Sequence, residues 1–115
     1  MTFIQKYGVL IASILLGLIV GAAGIAKLMG VPMVHQSFAI LGLPAWFGYF
    51  IGAAEVAGAI GLFIPPLARL AAAGLAVIGA GAVYFHVVHT PLSQAAPALV
   101  VLILALIIAT RRRAV

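Results

Sequence analysis

Long apolar stretches, separated by short segments that are polar or contain proline, make up most of the chain. This pattern predicts four membrane-spanning helices, at about residues 7–28, 46–64, 67–88 and 97–110. About 20 apolar residues cross a hydrocarbon core of roughly 30 Å, so the fourth segment is near the lower limit of that length. We therefore expect the fourth helix to begin inside the preceding loop, at residues 89–97.

Prolines and glycines mark the segments between the predicted spans. Pro65 and Pro66 should end the second helix, because proline lacks a backbone N–H and restricts the residue before it. Between the first two spans, Pro32 can begin a short helix that Gly42 and Pro44 end. The predicted fold class is all-α: a four-transmembrane-helix bundle in a single domain, with a short interfacial helix between helices 1 and 2.

Apolar and aromatic side chains suggest where this connecting segment lies. The short helix would have an apolar side, formed by Met33, Phe38, Ile40 and Leu41. We expect it in the outer membrane interface or over the mouth of the bundle. Trp46 and Tyr49, at the start of the second span, suit an aromatic belt at the same level.

Composition supports a membrane protein. The chain has 67% hydrophobic and 6% charged residues, whereas about a quarter of the residues of a soluble domain are charged. This excludes an ordinary soluble domain and makes the lipid bilayer the expected environment. The sequence contains no cysteine, which excludes disulfides, thiol redox chemistry and cysteine-ligated metal centres.

Basic residues predict the orientation. With four spans, both termini and the Pro65–Pro66 turn share one side, which collects five of the six basic residues: Lys6, Arg69, Arg111, Arg112 and Arg113. Lys27 alone lies on the other side. Positively charged flanks stay in the cytoplasm, so we expect a multi-pass protein of the cell membrane, in bacteria the inner membrane, with both termini cytoplasmic. The arginine run is then a membrane flank that can contact anionic lipid, and no nucleic-acid partner is expected.

Glycines in the predicted spans predict close helix packing. Gly17 and Gly21 in the first span, and Gly48 and Gly52 in the second, are four residues apart; Gly74, Gly79 and Gly81 extend the prediction to the third. Small residues four apart let helix backbones approach closely in lipid, where packing replaces the hydrophobic effect as the driving force.

Glu55 is the only side-chain carboxylate of the chain, and it lies in the otherwise apolar segment 46–64. A charge at the bilayer centre costs about 2.5–3.5 kcal/mol on the insertion scale, so the carboxyl group should face the interior of the bundle and be paired or protonated. An acid in this position either has a function or makes a structural interhelical hydrogen bond. Both interpretations remain open from the residues alone.

Four basic or imidazole side chains complete the candidate site for a ligand or a proton. We predict an outer cavity with Glu55 at its floor and Lys27, His86 and His35 at its rim; His89, three residues after His86, points to the same side. Lys27 is expected about two turns above Glu55, so a direct pair needs helix tilt, a bent lysine or a bridging water. Two histidines are too few for a metal site, and none is predicted. An interfacial role for His86 and His89 is the simpler alternative.

The amino-terminal apolar segment has a second interpretation, as a cleaved signal peptide with Gly24 and Ala26 at the cleavage site. The apolar run is long for such a peptide, whose hydrophobic region has about 7–15 residues. Cleavage would leave three spans and place the two ends on opposite sides of the membrane.

Four segments in order resemble the DoxX-like family of small four-helix membrane proteins. They are GAAGIAKLMG at 21–30, FAILGLP at 38–44, WFGYFIGAAEVAGAIGLFIP at 46–65 and AVYFHVVH at 82–89. The shared features are a lysine after a glycine-rich first helix, Leu-Gly-Leu-Pro before the second helix, Gly-x-x-Glu within it and Tyr-Phe-His near the end of the third. By this resemblance, Lys27, Glu55 and His86 match the polar positions of the family.

The resemblance implies a role within a larger assembly. Some members are associated with a thiosulfate:quinone oxidoreductase, others with oxidative-stress membrane complexes or with assembly roles. We therefore expect a subunit or accessory factor of a membrane complex, with a small polar or quinone-like ligand around Glu55. The partner would be another membrane protein or a second copy of the chain. No cofactor motif is visible in the sequence, and enzymatic activity of the chain by itself is not expected.

Two other functions stay open. A proton-coupled transporter would resemble the small multidrug resistance family in its length, its four helices and its single membrane glutamate. In that family, however, the glutamate lies in the first helix, and the charge asymmetry here opposes dual topology. A membrane oxidoreductase subunit is the other alternative.

Overall fold

The computed structural model describes residues 2–112, except for the side chain of Gln5. Within these residues all regular structure is helical, and no strand is present. There are five α-helices: α1 (Phe3–Leu28), α2 (Pro32–Ile40), α3 (Phe47–Gly61), α4 (Ala68–His89) and α5 (Ala95–Arg111). Short 3₁₀ turns at Pro65–Leu67 and Leu92–Gln94 lead into α4 and α5. The predicted all-α class is confirmed.

Three segments are long and apolar enough to cross a membrane: Lys6–Leu28, Pro65–His89 and Leu92–Arg111. The remaining predicted span contains α3, which is apolar but has only 15 residues. At 1.5 Å per residue α3 is about 22 Å long, less than the thickness of a typical hydrocarbon core. Crossing of the membrane by α3 therefore stays a prediction.

The second predicted helix ends three residues early, at Gly61, because of the proline pair. Pro65 restricts the backbone of the residue before it, and Ile64 is extended, with φ −105° and ψ 105°. Before this point the hydrogen bonds change from four-residue to three-residue spacing: Phe63 N–H donates to Ile60 O at 3.1 Å, and Ile64 N–H donates to Gly61 O at 3.2 Å. The sequence pattern predicts where this helix ends, but it does not predict the tighter turn that precedes the proline pair.

The first and last helices are longer than predicted. α1 begins at Phe3, four residues earlier than expected, and so includes Lys6. α5 begins at Ala95, inside the preceding loop as predicted. Pro97 then lies in the first turn of α5, where a missing N–H costs little because those donors have no intrahelical acceptor.

The predicted short helix is present as α2, which has Pro32 at its start. Gly30 and Gly42 border it, with φ values of 77° and 75°, a conformation that glycine adopts without steric cost. None of the residues of α2 is buried. Its location at a membrane interface stays a prediction.

The four longer helices contact one another in a closed order. α1 packs mainly on α3 and α4 mainly on α5, while α1 also contacts α5 and α3 contacts α4. The centre contains fully buried aliphatic side chains from each part of the chain: Leu16, Leu62, Leu75 and Ile108. Small residues around them, including Ala72 and Ala105, keep the helices close together.

Two glycines form a close contact between α1 and α3. A Cβ atom built on Gly24 would lie 2.7 Å from the carbonyl oxygen of Gly52, and one on Gly52 would lie 2.9 Å from the carbonyl oxygen of Gly24. Neither position can hold a side chain unless α1 and α3 separate. The predicted glycine packing is thus confirmed for Gly52, but its partner is Gly24, whereas Gly21 makes only ordinary contact, 3.8 Å from Ala59 Cβ.

The glycines of α4 differ among themselves. A Cβ on Gly79 would lie 3.2 Å from Leu102 N of α5, so this glycine is needed for packing. At Gly74 and Gly81, no atom of another helix in the described part of the chain lies within 4 Å of the same position. The packing role predicted for these two glycines is wrong, because they lie on faces of α4 that meet no neighbouring helix within residues 2–112.

We predict opposite effects for two glycine-to-alanine substitutions. Gly52→Ala should lower the free energy of unfolding by about 1–3 kcal/mol, because the added methyl group forces α1 and α3 apart. Gly81→Ala is the matched control: its methyl group enters open space, so the variant should be as stable as wild type or up to about 1 kcal/mol more stable. Unfolding in detergent measures both. Equal effects of the two substitutions would contradict the close contact.

Candidate functional site

Lys27 and Glu55 form a buried ion pair between α1 and α3. Lys27 Nζ lies 2.9 Å from Glu55 Oε1, and the two side chains are 14% and 7% exposed. Despite this distance, Oε1 is enclosed and has no hydrogen bond within the described part of the chain. The two observations agree if the ammonium approaches at an angle unsuitable for a hydrogen bond. The carboxylate therefore has its counter-charge but retains capacity to accept a hydrogen bond.

Direct pairing is possible because Lys27 and Glu55 lie closer to each other along the helix axes than predicted. A Cβ on Gly52 would lie 2.7 Å from Lys27 Cβ, so Lys27 is level with Gly52. Glu55 follows Gly52 by three residues, about 4.5 Å along the axis of α3, which a lysine side chain spans easily. The predicted offset of two turns was too large because the end of α1 lies beside the second turn of α3, at Gly52.

Repeated spacing of glycine and charge underlies this geometry. Gly24 precedes Lys27 by three residues, and Gly52 precedes Glu55 by three. Residues three apart lie on the same face of a helix, so each glycine allows close approach on the face that carries the charged residue. This shared Gly-x-x-charge spacing is the sequence signal that identifies Gly24 as a packing residue.

His35 of α2 binds the backbone of Lys27. Its Nε2 lies 2.8 Å from Lys27 O, and a carbonyl oxygen can only accept, so Nε2 carries the proton and donates. The same carbonyl accepts the N–H of Gly30 at 3.1 Å. The end of α1 is partly negative because its last carbonyls lack helical partners. The His35 ring N–H, the Gly30 N–H and the Lys27 ammonium together stabilise this partly negative helix end.

The His35 ring also packs on the first turn of α3. Its centroid is 4.5 Å from that of Tyr49, and a side chain on Gly48 would collide with the ring. His35 thus joins α2 to the end of α1 and the start of α3. The sequence indicated only an aromatic belt for Tyr49, because its contact depends on the path of the loop.

His86 and His89 lie elsewhere. The Thr90 hydroxyl donates to His86 O at 2.7 Å and accepts from His86 Nδ1 at 3.2 Å. His89 is exposed, and its ring lies 5.1 Å from that of Phe85. Among the described residues, neither histidine has a hydrogen bond or ion pair with Lys27, Glu55 or His35. The structure therefore joins three of the five predicted residues, and the predicted cavity that includes His86 stays a prediction.

An apolar groove lies on the same pair of helices. It has a volume of about 310 Å³ and is lined by Ile14, Gly17, Leu18, Ala59, Ile60 and Phe63. Gly17 precedes Gly24 by seven residues, and Ala59 follows Gly52 by seven. The groove therefore begins about two turns, roughly 10 Å, from the glycine contact.

The arrangement offers a hydrogen-bond donor and an acceptor side by side in a mostly apolar setting. The Lys27 ammonium has three N–H donors, and the carboxylate of Glu55 accepts. A small neutral group could bind both, or a proton could pass between them. No group of three or more His, Asp or Glu residues that could hold a metal ion occurs in residues 2–112.

Comparison with known proteins gives one match. The model of the DoxX-like family matches residues 11–108, nearly the whole chain, and includes every candidate site residue. No curated protein and no solved structure matches the chain.

We predict that Lys27 and Glu55 contribute to the free energy of unfolding in a coupled way. Lys27→Met should lower the free energy of unfolding by about 3 kcal/mol, because it leaves Glu55 buried without its partner. The double variant Lys27→Met/Glu55→Gln should recover most of this loss. Lys6→Met, which removes an exposed lysine, should change the free energy of unfolding by less than about 0.5 kcal/mol. Unfolding in detergent provides the measurement, and strictly additive effects would exclude a coupled pair.

Proposed function

The chain belongs to the DoxX-like family, and we propose that it is a subunit or accessory factor of a membrane protein complex that binds a small polar or quinone-like ligand at Lys27 and Glu55. The observation that carries the proposal is the buried ion pair itself, in which Lys27 Nζ lies 2.9 Å from Glu55 Oε1 between two apolar helices. Ionisable groups inside a membrane-spanning bundle are costly to keep there and are by default candidates for a functional site.

The chemistry of the pair suits a ligand with both carbonyl and hydroxyl groups. The ammonium of Lys27 would donate to a carbonyl oxygen, and the carboxylate of Glu55 would accept from a hydroxyl or amine. A quinone presents the first kind of group when oxidised and the second when reduced. The apolar groove begins at Ala59, about one turn along α3 from Glu55, and would hold a hydrophobic tail, since both features lie on α1 and α3.

Membrane topology is part of the proposal. The family match and three apolar helices indicate a multi-pass membrane protein. We propose that α1, α3, α4 and α5 all cross the membrane as a four-helix bundle. The short α3 would be accommodated by the apolar residues 62–64 that follow it and by local thinning of the bilayer. Both termini would then be cytoplasmic.

The chemistry of the side chains supports the proposed role of a subunit or accessory factor. The sequence has no cysteine, and the proposed site offers one amine and one carboxylate. These groups can bind, orient and exchange protons with a ligand. Any electron transfer to a quinone-like ligand would need a redox-active partner protein.

The ligand proposal can be tested by native mass spectrometry of the protein purified from membranes in mild detergent. Wild type should carry a co-purified small molecule, and Glu55→Gln should lower its occupancy by about tenfold, because a hydrogen bond to a charged group is lost. His89→Gln is the matched control, since His89 is exposed and lies outside the pair. Full occupancy in Glu55→Gln would show that Glu55 is structural.

A second variant separates the two kinds of ligand. Ile60→Trp narrows the groove from a position that is 60% exposed. It should therefore weaken the binding of a ligand with a hydrophobic tail and leave the binding of a small polar ligand unchanged. The same spectra report on assembly. A wild-type chain found only as a single 11.8 kDa copy, with neither ligand nor partner, would contradict the proposal.

The proposed topology predicts opposite labelling of two exposed residues. The chain has no cysteine of its own, so Gln36→Cys and Leu67→Cys each introduce a single thiol. A membrane-impermeant maleimide added to intact cells should label Gln36→Cys, whereas Leu67→Cys should react only after the membrane is permeabilised. Labelling of both from the outside would mean that α3 does not cross.

A further inference from the structure

Three arginines gather where α4 begins and α5 ends. Arg69, in the first turn of α4, donates its Nε–H to Ala109 O of α5 at 3.2 Å. This contact places the start of α4 beside the last turn of α5, where Arg111 and Arg112 follow. We call Arg69, Arg111 and Arg112 the arginine cluster.

The sequence contains no acidic side chain that could neutralise this cluster. Its single carboxylate, Glu55, is paired with Lys27. Guanidinium groups stay charged under all physiological conditions. The charge of the cluster must therefore be balanced largely by anions that are not side chains of this chain.

The cluster also has unused hydrogen-bond donors. A guanidinium has five N–H donors, and the hydrogen bond to Ala109 uses only the one on Nε of Arg69. Arg69 and Arg111 are exposed. Nε of Arg112, by contrast, is enclosed, so an external phosphate would be bound mainly by Arg69 and Arg111. Planar N–H pairs of this kind match the oxygens of a phosphate.

The position of the cluster along the helices favours a lipid. Arg111 is the last residue of the apolar segment Leu92–Arg111, and Arg69 lies near the start of the apolar segment Pro65–His89. The ends of such segments lie at the level of the phospholipid headgroups. A phosphate in the headgroup layer is thus the nearest abundant anion.

We propose that the arginine cluster is a binding site for the headgroup phosphate of an anionic phospholipid. An anionic lipid fits better than a zwitterionic one, because the headgroup of the latter carries its own cation beside the phosphate. The site is independent of the ligand proposed for Lys27 and Glu55, and it would remain if that ligand did not exist.

Lipid binding can be measured on the purified full chain in an uncharged detergent. Phosphatidylglycerol and phosphatidylcholine are added at equal concentrations, and native mass spectrometry counts the lipids retained. We expect phosphatidylglycerol to be retained about tenfold more than phosphatidylcholine, and Arg111→Gln to weaken its binding by about fivefold. Arg69→Gln should weaken binding to a similar extent. Because Arg69→Gln also loses the hydrogen bond to Ala109 O and could impair folding, Arg111→Gln is the decisive variant.

Lys6→Gln is the matched control, because it removes one positive charge outside the cluster; it should change binding by less than about twofold. An equal loss in Lys6→Gln and Arg111→Gln would mean general attraction to the surface and overturn the site. Equal retention of the two lipids would also overturn it. So would displacement of phosphatidylglycerol by inorganic phosphate at the same phosphate concentration, since the site would then bind free phosphate.

Discussion

One buried carboxylate constrains much of this structure. An unpaired charge among apolar helices is costly, so Glu55 needs a partner, and Lys27 reaches it only where α1 and α3 touch. Gly24 and Gly52 make that contact possible because neither backbone carries a side chain there. His35 then binds the carbonyl of the paired lysine, which ties α2 to the same place. The ion pair, the helix contact and the connecting helix therefore form one unit.

Charge is divided between two regions that differ physically. At the ion pair, one positive and one negative group are enclosed, and solvent screens them little. In the arginine cluster, like charges are gathered at the end of two apolar helices without an acidic side chain nearby. The first region is suited to recognising a specific molecule by geometry, and the second to holding an abundant anion mainly by charge.

Much of the fold follows from local sequence, but the site depends on contacts that local sequence does not define. Apolar runs and prolines predict the helices, and a lone Glu55 predicts burial and a partner. The direct contact with Lys27 could not be predicted, because it depends on how far α1 overlaps α3 after a connection that includes α2. The position of His35 depends on the turns at Gly30 and Gly42. Spacing alone also could not show that Gly81 faces no helix while Gly79 does.

The location of Glu55 on the shortest of the four longer helices has a consequence for biogenesis. A 15-residue helix that carries an acid is a poor candidate for independent entry into a bilayer, since both its length and its charge disfavour insertion. α1 is synthesised first and carries Lys27 at its end. If α3 crosses the membrane as proposed, we expect it to enter together with α1, as a hairpin in which the two charges already neutralise each other, so that the order of synthesis becomes part of how this protein reaches its fold.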